Sequence, residues 1–88
     1  MSTRANANPG KSGLRDSADA KKYLQLGMMY SIGKSVPADM VSAHKWFNIA
    51  ALRGNSEAGQ LRREIAGEMS EAEIAAAQRA ARVWLTRH

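Results

Sequence analysis

The chain predicts an all-α fold, and three observations carry that prediction. No segment alternates polar and apolar residues with period two, as a half-buried strand would. Apolar residues instead recur every three or four positions, which lines one side of a helix. Short links hold residues that start or stop helices, such as Gly33, Pro37, Gly54, Asn55 and Ser70. The 88 residues suffice for one small domain. Apolar residues are 44% and aromatics 6%, so the core is lean. Such a domain depends on tight helix packing or on a partner.

Residues 1–16 are rich in Asn, Gly and Ser and offer little to bury, so a flexible polar tail is expected, with the folded domain at 17–88. The piece "PGKSG" from Pro9 to Gly13 is not a phosphate loop. Ala5 stands where that motif needs a glycine, and no strand precedes it.

Four helices follow. The first is expected from Ser17 to Ile32, capped by Asp16 or Ser17 and ended by Gly33. Gly27 in its interior costs about 1 kcal/mol relative to alanine, which points to a close crossing by a neighbour. The second is expected to start just after Val36, with Pro37 at its first position, and to stop at Gly54. Ala43, Trp46, Phe47, Ala50 and Gly54 share one side of it. The small residues there let a backbone approach beside the rings. The third begins at Asn55 or Ser56 and runs to about Gly67, with Ala58, Leu61, Ile65 and Met69 on one stripe. The fourth opens with a capping box, Ser70 and Glu73, and presents Ile74, Ala77, Ala81, Trp84 and Leu85. This gives an antiparallel array of helical hairpins, the unit of an α/α superhelix.

The chain also matches itself at an offset of 38. Trp46 falls on Trp84, Ala43 on Ala81, Val36 on Ile74, Phe47 on Leu85 and Ala20 on Ala58. The tryptophan match weighs most, because these are the only two. A period of this length marks helical-hairpin repeats. Gly27 pairs with Ile65 and Gly33 with Glu71, so the second copy is degenerate, as a capping repeat is expected to be.

The stretch "YLQLGMMYSIGKSVPADMVSAHKWFNIAALRGNSEA" resembles a Sel-one-like repeat, a relative of the tetratricopeptide repeat. The residues that carry the resemblance are Leu26, Gly27, Tyr30, Gly33, Val36, Asp39, Ala43, Trp46, Ala50, Ala51, Gly54, Asn55, Glu57 and Ala58. The tail "MSEAEIAAAQRAARVWLTRH", with Ala81 and Trp84, resembles the closing helix after such repeats in bacterial proteins. One departure stands out: Ser35 occupies a place where the family usually has glycine, so the first link is expected to turn differently. Members of that family are mostly adaptors and scaffolds. The resemblance therefore implies protein–protein interaction and brings no catalytic residue, metal ligand or cofactor with it.

The chemistry-bearing residues agree with a binding role. His44 and His88 are the only histidines and there is no cysteine, so a zinc site lacks ligands. His44 is read as an ordinary surface histidine. Glu64, Glu68, Glu71 and Glu73 are explained by capping and solubility, since paired working carboxylates need one dry and one wet environment. No arrangement points a histidine at a serine. Catalysis is therefore not expected. Arg62, Arg63, Arg79, Arg82 and Arg87, within a net charge of +5, form a solvated face. A basic domain binding nucleic acid or an acidic partner is the rival reading, but aromatics do not interleave with these arginines, which disfavours nucleic acid. Without cysteine, a signal-like apolar run or a long apolar stretch, the chain reads as cytoplasmic, with no membrane partner.

The first helix is apolar on more than one side. Tyr23, Leu26, Gly27 and Tyr30 form its packing face, with Leu24, Met28 and Ile32 read as lying off it. These three are the candidate surface for another protein or peptide, or for a second copy of the chain.

Overall fold

The computed structural model describes residues 19–88. Among them are four helices and no strand. They are α1 (19–32), α2 (Met40–Leu52), α3 (Ser56–Ala66) and α4 (Glu71–Arg87). The fold is all-α, and α2 packs against both α3 and α4. The expected cap at Asp16 or Ser17 and the tail of residues 1–16 lie outside the described residues. No described helix is long and apolar enough to cross a membrane.

Each helix end has an identifiable cause. Helix α1 stops at Gly33, whose φ of +75° suits a residue without Cβ. The N–H groups of Gly33 and Lys34 both donate to the Met29 carbonyl, at 2.9 and 3.1 Å. Ser35, where the resemblance called for glycine, has φ +71°. The link thus keeps a left-handed residue there even without glycine, at a steric cost of about 1–2 kcal/mol.

Helix α2 begins at Met40, later than expected, and Pro37 is not its first residue. The chain is still in the link at Pro37, because the groups that start the helix belong to Asp39. The Asp39 Oδ1 accepts from the N–H groups of Val41 (3.0 Å) and Ser42 (3.2 Å). Its Oδ2 accepts from the Ser42 hydroxyl at 2.8 Å. These bonds, the Ser42 hydroxyl foremost, hold the Asp39 carboxyl below its ordinary value of 3.8. The Asp39 N–H donates to the Tyr30 carbonyl at 2.9 Å, which ties the start of α2 to the last turn of α1.

The other two starts match the sequence reading. Asn55 Oδ1 accepts from the Ala58 N–H at 2.7 Å and begins α3, after Gly54 with φ +107°. Ser70 and Glu73 form the reciprocal capping box of α4: the Ser70 N–H donates to Glu73 Oε1 (2.8 Å) and the Glu73 N–H to Ser70 Oγ (3.1 Å).

The core is small residues around one ring. Leu24, Ala43, Phe47, Ala50 and Ala58 form its buried centre, with Tyr23, Tyr30, Ala51, Leu61 and Ile65 packed against it. Gly27 and Phe47 explain each other. A Cβ built on Gly27 would stand 2.5 Å from Cδ1 and Cε1 of the Phe47 ring. The α1 backbone therefore lies directly on that ring, and only glycine fits. Burying Phe47 in this way contributes roughly 1.5–3 kcal/mol. Ala77 and Ala81 of α4 and Ile49 of α2 are also buried.

Candidate interaction site

The helices assemble a cluster of rings. Tyr23 of α1 stacks on Trp46 of α2, with centroids 5.7 Å apart and planes 9° from parallel. Trp84 of α4 meets both edge-on, Tyr23 at 5.1 Å and Trp46 at 5.5 Å. His88 stacks on Trp84 at 4.2 Å and 8°. Its Nδ1 lies 2.9 Å from the Trp84 carbonyl oxygen, so that nitrogen carries the proton in this bond. The order of the rings along the chain thus joins three helices in space. Offset and edge-to-face pairs of this kind contribute about 0.5–1.5 kcal/mol each beyond area burial.

Two lysines lie over rings of the cluster. The Lys45 ammonium sits 4.4 Å from the Trp46 centroid and the Lys22 ammonium 5.7 Å from that of Tyr23. Beside Trp84, a shallow cleft is lined by Lys45, Ala80, Val83, Trp84, Arg87 and His88. By sequence, Trp46 and Trp84 fall on separate packing faces, and their contact is not evident there, although their equal register at the offset of 38 is a usable signal.

Of the three proposed contact residues on α1, the structure separates one from the other two. Leu24 is a correction: it is 7% exposed and belongs to the core centre. It lies four residues after Ala20 and three before Gly27, both buried, so it turns to the same side as they do. Met28 and Ile32 are 42% and 69% exposed. They lie four residues apart on one edge of α1, a spacing that makes neighbouring side chains.

His44 is the second correction. It is not a surface histidine but 3% exposed. It lies between Ala43 and Phe47 in the turn that faces the core, so the stripe is wider than the sequence reading drew it. Its Nδ1 has no hydrogen-bond partner among the described residues. Burial, and after it the charge of Arg62, hold the imidazole below its ordinary value of 6.5, so the ring is neutral at pH 7. Arg62 itself donates from Nη1 to Asn48 Oδ1 at 2.6 Å, which joins α3 to α2.

The other singled-out residues fall into structural places. Asp39 caps α2, Gly33 and Gly54 take left-handed turns, and Ala43, Ala50, Ala58 and Ala81 are buried. Leu26, Tyr30, Val36, Trp46, Ala51 and Trp84 are half-buried. Among the described residues, no three His, Asp or Glu side chains are grouped so as to hold a metal ion. Comparison of the chain with protein-family models, curated proteins and solved structures gives no match.

Proposed function

We propose that this chain is a protein–protein interaction module of the Sel-one-like kind, acting as an adaptor through a rigid helical surface and without chemistry of its own. The observation that carries the reading is the side of α1 that bears Met28 and Ile32. The side that bears Gly27 is spent on Phe47, while these two side chains remain exposed. Exposing both in neighbouring turns is unfavourable for an isolated domain and useful for one that meets a partner. The offset of 38 supports the same reading, since in a helical-repeat array this side of the first helix is where a further element would pack. We take its compartment to be a reducing one such as the cytoplasm, a reading supported by a composition that forms no disulfide.

The test uses the native chain and Met28→Asp/Ile32→Asp as baits in a lysate of the source organism, with retained proteins identified by mass spectrometry. Both positions are exposed, so the double variant is expected to keep the helical circular dichroism of the native chain. A protein held by the native bait should fall by about tenfold or more on the variant, and should rebind as a purified species. Equal retention of every protein by two folded baits contradicts the reading. Leu24→Asp does not serve here, because it buries a charge in the core.

A further inference from the structure

We propose that the cleft beside Trp84 docks an acidic polypeptide segment that carries an aliphatic side chain among its carboxylates. The site lies apart from Met28 and Ile32, and it rests on the interaction-module reading only in taking the occupant to be a polypeptide. The cleft has two parts. Ala80, Val83 and the indole of Trp84 supply an apolar floor, and Val83 is 51% exposed. Lys45 and Arg87 supply the charge, and no acidic residue lines the cleft. An occupant that complements both parts brings carboxylates to the two cations and an aliphatic group to Val83. Arginine offers a forked pair of donors to a carboxylate, and lysine a point charge.

The rings argue against a nucleic acid in the same place. Single strands bind by stacking bases on bare aromatic faces. Here Trp46 stacks on Tyr23 and carries Lys45 above it, and Trp84 stacks on His88. A base stacking on that face of Trp84 would first displace His88 and break its bond to the Trp84 carbonyl. An acidic segment needs no such displacement, because it uses the cleft floor and its charged rim.

The probe is the peptide acetyl-Asp-Glu-Leu-Glu-Asp-amide, titrated into the full ¹⁵N-labelled chain. Its controls are the neutral twin with Asn and Gln for Asp and Glu, a twin with Ser for Leu, and an oligodeoxythymidine. The inference expects saturable shifts of the Trp84 indole N–H and of the Val83 and Arg87 amides. It expects affinity to fall about tenfold or more for the neutral twin and for Lys45→Gln/Arg87→Gln, as loss of charge-assisted bonds does. Val83→Ser and the serine twin should both weaken binding while the charge dependence remains. Three results overturn it: equal binding of the neutral twin, no shift near Trp84, or oligodeoxythymidine displacing the peptide from the same residues. The two peptide twins act on the native chain, so the outcome does not depend on any variant folding. Met28 and Ile32 are untouched throughout, so failure here is distinct from failure of the α1 surface.

Discussion

At the scale of single residues, Ser35 and His44 both sit against a physical preference. Ser35 holds φ +71° with a Cβ in place. Ser35→Gly removes that clash but gives the unfolded chain more freedom to lose, which offsets part of the gain. The net expectation is a stabilisation of about 0.5–1 kcal/mol, read as a higher urea midpoint at unchanged slope. His44 is buried and held below its ordinary value. The unfolded state therefore takes up a proton that the folded state resists. Stability from this site is full above pH 6.5, falls as the pH drops below it, and levels off beneath the lowered folded value. Unfolding midpoints at pH 7.5 and 5.5 should show the loss, and His44→Leu should flatten the profile over that window. Both residues show how far a helical wheel reaches. It gives the spacing of the buried stripe but not its width, and on it His44 falls at the surface and Leu24 outside the core.

At the scale of elements, the helix ends divide cleanly. Those fixed by a side chain bonding its own first turn, Asn55 and Ser70 with Glu73, were legible because cause and effect lie within four residues. The start of α2 has the same local kind of cause, Asp39 bonding its own first turn, but Pro37 masks it in the sequence, being equally at home in a first turn and in an extended link. Asp39 decides between them, with help from the Tyr30 carbonyl of the preceding helix. The α1–α2 crossing was legible from Gly27 alone, since an interior helical glycine is costly unless something lies on it. Gly27→Ala is accordingly expected to destabilise by about 1–3 kcal/mol, against the gain in helix propensity, because the new Cβ meets the Phe47 ring. Chemical denaturation measures it. Gly27→Ala combined with Phe47→Leu should recover part of the loss, as expected when the two share one contact.

At the scale of the whole molecule, the rings join what the chain separates. Tyr23, Trp46 and Trp84 come from three helices, and their meeting depends on how those helices are arranged. That is why each ring was placed on a packing face from sequence while their contact was not. The same arrangement leaves two surfaces with apolar character, the Met28–Ile32 edge of α1 and the cleft beside Trp84, on a frame whose helices the rings bridge. The adaptor reading needs that frame to exist in solution. The most direct measurement is a nuclear Overhauser spectrum of the aromatic protons. The account predicts cross-peaks that link the Trp46 and Trp84 indoles to each other and to the Tyr23 ring. Two indoles without mutual cross-peaks, both at the shifts of free tryptophan in water, would contradict it.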